Sequence, residues 1–338
     1  MEKQLNFTDM EYSNRRRVTK REAFLNKMDQ VLPWKKWVEL IRPYYPSGKR
    51  GRPPREIEVM LRMLLLQVWF NLSDEAVEDA IYDSYAMKSF IGLNFEQGEQ
   101  APDATTLCKF RKLLGEHDLQ KAIFKQVQNV LEKEGKQVRG GSIVDATIIE
   151  APDSRKNASG KPDPEMHSVK KGSKWYFGMR LHVAVDPLHG FVHSLSCTPA
   201  NQAEVKEAPK LLRKDDEVVY GDAGYCKLER YVTDGIVRRY EINRQRGTFW
   251  WHYGKSLSWE EERKLEQRKS SVRSKVEYVF HIVKDLFRWR KARYKGLKKN
   301  EDYAYLAFAS ANLYMLTCFA VCFYTGRRLC DFDTDYSS

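Results

Sequence analysis

Cysteine is sparse and unpaired in this sequence. The six cysteines among 338 residues (Cys108, Cys197, Cys226, Cys318, Cys322 and Cys330) form no CxxC pair and no grouping with the seven histidines at metal-ligand spacing. A thiolate zinc centre is not indicated, and reduced thiols in a cytoplasmic protein are expected. The N-terminus is polar and charged, so no secretory signal is read there. Internal repeats and low-complexity segments are lacking. Long hydrophobic runs are lacking too, apart from Tyr303–Tyr324, which is apolar and long enough to cross a bilayer. Ser310, Asn312 and Thr317 interrupt it and a basic stretch precedes it. A buried core helix is therefore expected, and no membrane association.

Acidic charge is in deficit: 46 Asp or Glu stand against 58 Lys or Arg, a net charge of +12. A basic protein attracts polyanions, of which nucleic acid is the commonest soluble one. The surplus is also localised. Residues 263–299 hold 14 Lys or Arg and three acids, Glu266, Glu277 and Asp285. Charge gathered in one stretch suggests a surface that tracks phosphates rather than general solubility. With 42% hydrophobic and 12% aromatic residues the chain can fill a core, and its length calls for two domains or one with additions.

The first part of the chain reads as helical. Residues 1–30 are polar, with Arg15, Arg16 and Arg17 close to Lys20 and Arg21. The segment Ser47–Arg55 sets Gly and Pro breakers among four basic residues including Arg52. It reads equally as a solvated connector or as an arm for a DNA minor groove. From Glu56 to about Glu134 apolar residues recur at three- and four-residue steps, as in Met60, Leu61, Leu64, Leu65 and Val68. Ser73 caps a second helix, Asp103 or Thr105 a third, and Leu119, Ile123, Val127 and Val130 line a fourth. Such a set could be a relative of the helix-turn-helix, although many helical domains share the pattern.

At Gly140 the period changes. Ser142–Ile149, Trp175–Asp186 and Phe191–Cys197 read as strands, the last two joined by the turn from Asp186 to Gly190. A helix over Gln202–Leu212, a strand over Glu217–Tyr220, a strand over Ile236–Ile242 and a long helix over Val272–Phe287 follow. This is the element order of the RNase H-like fold. The expected fold class is thus α/β, a mixed five-stranded sheet with flanking helices behind an all-α N-terminal domain. The boundaries are 1–138 for a helical DNA-binding and dimerisation domain, 139–325 for the catalytic domain, and 326–338 for a tail. A Trp-rich insertion is expected at about 243–270, and its Trp250 and Trp251 could stack on an unpaired base or form a satellite core.

Three acids carry the chemistry. Asp145 sits inside an apolar strand, where an ionised carboxylate is costly unless a positive charge offsets it. Asp222 directly follows the fourth strand between Gly221 and Gly224. If the first and fourth strands are neighbours, both acids share one pole of the sheet, and hard oxygen ligands there select Mg²⁺ or Mn²⁺. Glu277 lies on a helix stripe with Arg273, His281 and Lys284, beside an apolar stripe of Val276, Phe280, Val283 and Phe287. A salt-bridged helix face is the plain reading of Glu277 alone; the two aspartates before it favour a third ligand. Glu150, Asp153, Asp163, Glu165 and Asp186 are competing acids, and His167, His182 and His281 are weaker ligand candidates.

At this point the sequence resembles a known family. Gly51-Arg52-Pro53-Pro54, Asn71–Ala76, Pro102–Thr106, Asp145-Ala146-Thr147, Asp163–His167, Lys170-Lys171-Gly172, Trp175–Met179 and Gly221–Tyr225 resemble segments of bacterial DDE transposases of the insertion-sequence-5 type. The resemblance covers roughly residues 30–325. Arg273, Glu277 and Lys284 match the third motif of that family at its spacing, and Ser270 stands where the family has a tyrosine. The resemblance implies a transposase that binds the terminal inverted repeats of its element, cleaves the ends and joins the 3′ hydroxyls to target DNA with two metal ions held by Asp145, Asp222 and Glu277. Arg273, Lys284, Arg52, Lys170, Lys171, Trp250 and Trp251 are the expected DNA contacts. A homodimer or larger assembly on double-stranded DNA follows, since two ends must meet. A hybrid-cutting RNase H-like nuclease and a non-catalytic DNA-binding protein are the competing readings.

Overall fold

The computed structural model describes residues 14–15, 17–48, 53–94, 98–152, 160–245, 247 and 259–325, with side chains to Cys318. Arg52, Trp250, Trp251, Asp153 and the expected tail lie outside these residues. The chain divides into two compact units, one from Met1–Leu119 with Leu313–Ser338, the other Gln120–Asn312.

In the first unit the helices are α1 (Lys20–Val31), α2 (Trp34–Ile41), α3 (Ile57–Phe70), α4 (Asp74–Asp83), α5 (Tyr85–Ile91) and α6 (Ala104–Glu116). Thr19, Ser73 and Asp103 begin α1, α4 and α6 by accepting from the N–H groups of Glu22, Ala76 and Thr106, which satisfies donors that a helix start leaves free. Helix α3 is the centre, buried continuously from Met63 to Trp69. It ends at Asn71, held left-handed at φ 52°. Asp74 then accepts from Gln67 at 2.6 Å and from Arg111 at 2.7 and 2.8 Å. The segment Asn71–Ala76 is thus a stop, a cap and a clamp in succession.

The second unit contains α7 (Leu119–Lys133), whose first residue falls in the other unit, and a mixed sheet. Its strands are β1 (Gly141–Glu150), β2 (His167–Lys171), β3 (Lys174–Val185), β4 (Val192–Pro199), β5 (Val218–Gly221) and β6 (Arg239–Ile242). The path is β2-β3-β1-β5-β6, with β4 also paired to β3. Strand β3 is long enough to pair with β1 along one edge while the other edge takes β2 over its first half and β4 over its second. The β1–β5 and β5–β6 pairs are parallel, the rest antiparallel. The mixed sheet and flanking helices agree with the expected RNase H-like class. A sixth strand, β2, exceeds the five expected: its sequence His167–Lys171 is polar and exposed on nearly every residue, so it carries no apolar alternation to read.

Two helices differ from expectation. Gln202–Leu212 is only α8 (Glu204–Glu207) followed by a 3-10 turn, Ala208–Leu211, because Pro209 has no N–H to continue an α-helix. The expected single helix Val272–Phe287 is three pieces: α9 (Trp259–Arg273), α10 (Lys275–His281) and a π-turn, Ile282–Leu286. Its start also moves, since α9 already occupies residues 259–270 of the expected insertion. The buried positions on α10 and its turn are Val276, Val279, Ile282, Val283 and Phe287, so Val279 and Ile282 join the stripe and Phe280 is only half-buried.

The last helix, α11 (Leu297–Thr325), belongs to the second unit through Asn312 and to the first from Leu313. Its side chains from Asp302 to Cys318 are buried except that of Leu316. Asn312 accepts from the Val192 N–H at 2.9 Å and donates to the Val192 carbonyl at 2.8 Å. Among the described residues no helix is long and apolar enough to cross a membrane.

Candidate active site

The geometry starts from strand register. In the parallel pair of β1 and β5 the last partners are Ile143 and Tyr220. Asp145 and Asp222 each lie two residues further, at one level at the carboxyl end of β5. Alternation along β1 sends Val144 into a core with Ala184, Ala208, Leu211, Val219, Tyr225 and Leu228, and Asp145 to the other face. The Asp145 side chain is 14% exposed. Its pKa is raised to about 6, first by burial and then by the charges of Asp222 and Glu204, while the Ala146 N–H and the Arg273 guanidinium oppose the rise. Asp222 Oδ1 accepts from the Gly224 N–H at 2.8 Å, so the acid shapes the turn that presents it.

Arg273, the last residue of α9, reaches this pole. Its guanidinium lies 3.2 Å from Asp145 Oδ2 and 3.4 Å from Glu277 Oε1. The side chain of Glu277 is 62% exposed. The helical path breaks at Ser274, whose hydroxyl donates to the Ser271 carbonyl at 2.9 Å, a local bond that competes with helix continuation. Ser270 accepts from Asn243 Nδ2 at 3.2 Å, and the Asn243 N–H donates to the Gly221 carbonyl at 3.0 Å. Ser270 is therefore joined through Asn243, by two hydrogen bonds, to the strand end that precedes Asp222. Lys284 falls in the π-turn; burial, Lys171 and Arg290 push its pKa down.

Asp145, Arg273 and Glu277 are thus linked directly, and Asp222 shares the level of Asp145. Among the described residues no three His, Cys, Asp or Glu side chains close into a metal-binding group. The donors nevertheless suit a hard cation. They are carboxylate oxygens, one raised in pKa by burial and then by its neighbours' charge, and Arg273 already supplies a positive group between Asp145 and Glu277. Removing water from such charges is tolerable only with a cation beside them.

Sequence reasoning missed Glu204 and Arg180. Glu204 Oε1 is 2.8 Å from Arg180 Nη1. Its pKa is raised by burial, with Arg180 opposing and Asp222 adding to the rise. No spacing pattern marks Glu204; the one available signal is that Arg180 interrupts the otherwise apolar end of β3.

The competing acids within the described residues have other partners. Asp163 and Glu165 accept from the N–H groups of Gly296 and Leu297, both at 2.6 Å, and so cap the start of α11. Asp186 accepts from Leu188, His189 and Phe191 N–H groups and builds the β3–β4 turn. Glu150 pairs through its backbone with Arg290 and Ala292. His182 is buried against Thr198 at 2.7 Å. His281 is held 2.6 Å from Asp285, and His167 is exposed on β2. A Ser–His–Asp group exists at the far end of β1, but Ser142 stands in the middle, 2.9 Å from His193 and 2.5 Å from Asp216. A nucleophilic triad needs the histidine there.

Lys170 and Lys171 lie on β2 opposite Trp175 and Lys174, and Trp175 is 69% exposed. Lys171 bears electrostatically on both Glu204 and Lys284.

Comparison with known families agrees with this geometry. Residues 13–113 match the family described as Transposase domain (DUF772), and residues 136–313 match the family described as Transposase DDE domain. The second match spans the sheet, Asp145, Asp222, Arg273, Glu277 and Lys284, and covers more than half of the chain. The protein therefore belongs to the DDE transposase family, metal-dependent enzymes that cut DNA and transfer its strands.

Proposed function

We propose that the protein acts on the terminal inverted repeats of its own insertion sequence, of the insertion-sequence-5 type, cleaving the element ends and joining the 3′ hydroxyls to target DNA. The observation that carries this reading is that Asp145 and Asp222 each lie two residues beyond the last partners of adjacent parallel strands, with Arg273 bridging Asp145 to Glu277. Asp145, Asp222 and Glu277 would hold two Mg²⁺ or Mn²⁺ ions. When bound, the ions supply an activated water or 3′ hydroxyl and charge stabilisation at the leaving oxygen. Asp145 is ionised at neutral pH, since its pKa of about 6 lies below it, and serves as an oxygen donor. Arg273 holds Asp145 and Glu277 before DNA arrives; with a phosphate in the site its planar fork serves the phosphate equally well. The N–H of Gly224 fixes the Asp222 carboxylate against rotation.

Lys170, Lys171 and Lys284 are assigned to phosphate contacts, as are Arg52 and, for base stacking, Trp250 and Trp251. The helical domain of residues 1–138 is assigned to DNA binding and dimerisation, residues 139–325 to catalysis. The working form is a homodimer or larger assembly on DNA, in the cytoplasm and at the nucleoid.

Purified protein, Mg²⁺, a fragment bearing candidate element ends and a target plasmid make the test. Metal-dependent cleavage and joining are expected, lost in Asp145→Ala, Asp222→Ala and Glu277→Ala. Joining that survives all three changes would refute the assignment. Cleavage of RNA–DNA hybrids without joining would instead identify a nuclease.

A further inference from the structure

Glu204 and Tyr225 form a second layer behind the Asp222 turn. Arg180 Nη1 lies 2.8 Å from Glu204 Oε1 and donates to the Gln202 carbonyl at 3.1 Å, so it pins both the acid and the segment that carries it. Gly224 leaves a space that both carboxylates border: a Cβ added there would stand 3.0 Å from Asp222 Oδ1 and 3.5 Å from Glu204 Oε2. Tyr225, the next residue, is 1% exposed, and its hydroxyl has no hydrogen-bond partner among the described residues. Burial drives its pKa up, and the charges of Glu204, Asp145 and Asp222 push it further in the same direction. A buried hydroxyl without a partner is unfavourable, which leaves it available as a donor to a group bound beside these acids.

We propose that Glu204, clamped by Arg180, is a fourth carboxylate of the site, a positioning residue that orients the water shell of a divalent cation beside Asp222, with the Tyr225 hydroxyl donating into the same polar space. Magnesium-like cations keep several waters when bound to protein, and carboxylates behind the direct ligands fix those waters. Lys171, on β2, acts on Glu204 with the opposite charge. The inference rests on the assignment of Asp145 and Asp222 as direct ligands.

The test is Mn²⁺ titration of the full-length protein without DNA, followed by electron paramagnetic resonance. Glu204→Gln should weaken Mn²⁺ binding by about 10- to 100-fold and Tyr225→Phe by about tenfold, with near-ultraviolet circular dichroism unchanged. If the lone Arg180 charge unfolds the first variant, the pair Arg180→Gln/Glu204→Gln removes both charges and restores the fold, and the loss of Mn²⁺ affinity should persist. Parental affinity in that double variant, alongside lost affinity in Asp222→Ala, would overturn the role of Glu204 alone. Parental affinity in both Asp145→Ala and Asp222→Ala would overturn the three-acid assignment and this inference with it.

Discussion

Asp145 shows what burying a carboxylate costs. A carboxylate at 14% exposure has given up most of its water, and Arg273 returns only part of that free energy, because Asp222 and Glu204 bear on it with the opposite sign. The metal-free fold binds a proton on this carboxyl more tightly than the unfolded chain does. With an unfolded pKa near 3.8 and a folded value of about 6, the stability contributed by the protonated form is complete below pH 3.8 and lost as pH rises through 6. Asparagine mimics the neutral form at every pH. In metal-chelating buffer, Asp145→Asn should exceed the parent in stability above pH 6 by roughly 3 kcal/mol and match it below pH 4. Thermal denaturation at pH 4 and pH 8 measures this; a gap of the same size at both pH values would count against it. The lone acid in an apolar strand made Asp145 legible from the sequence. Glu204 was not legible, because its importance comes from Arg180, which is 24 positions earlier and adjacent only through folding.

At the scale of elements, β3 organises the sheet. Its resemblance-bearing glycine, Gly178, lies so close to β1 that an added Cβ would overlap the Ile149 carbonyl oxygen. Gly178→Ala should therefore destabilise by roughly 2–3 kcal/mol, since packed backbone can move only at the expense of the β1 ladder. Chemical denaturation reads this directly, and a change under about 0.5 kcal/mol, as at an ordinary surface position, would contradict it.

The same strand makes the fold acid-sensitive. His182 is fully buried, and burial, then Arg180 and Lys210, lower its pKa from 6.5 to about 3. His193 is lowered in the same direction by burial and Arg213. Both are neutral when folded and free to take protons when unfolded. The stability this represents is present above pH 6.5 and disappears as pH falls through the folded value. For His182 alone it is of the order of 5 kcal/mol. Unfolding free energy should fall between pH 6.5 and pH 4, and His182→Gln, which cannot gain a charge, should show a shallower fall. Equal slopes for the two proteins would remove His182 as the cause.

Element existence was largely readable and element continuity was not. The five strands with apolar or β-branched runs were legible, whereas β2 forms because β3 offers it an unpaired edge. The helix across Arg273, Glu277 and Lys284 read as continuous, since periodicity does not register a break at Ser274 or a π-turn at Ile282–Leu286. Those two irregularities decide where Arg273 and Lys284 point.

Across the whole molecule, the basic surplus of residues 263–299 includes α9, α10 and the start of α11, so the charge runs through the segment that reaches Asp145. If DNA is held this way, affinity must depend steeply on salt. With six to ten phosphates engaged, binding to a non-specific duplex should fall by about 10³- to 10⁵-fold between 50 and 200 mM salt. Fluorescence anisotropy across that range tests it, and a nearly flat response would mean that the surplus charge does not face DNA.

The sequence by itself determined the composition of the core, the charged stretch and the order of most helices and strands, and it singled out Asp145, Asp222 and Glu277 as candidates, because apolar period, capping residues and local spacing are properties of neighbours along the chain. Only the tertiary structure decided that Arg273 bridges Asp145 and Glu277, that Asp163 and Glu165 are spent on capping α11, and that Glu204 and Tyr225 stand behind Asp222. Each of those depends on parallel register or on contacts across tens of residues, and such distances are fixed by packing rather than by local pattern.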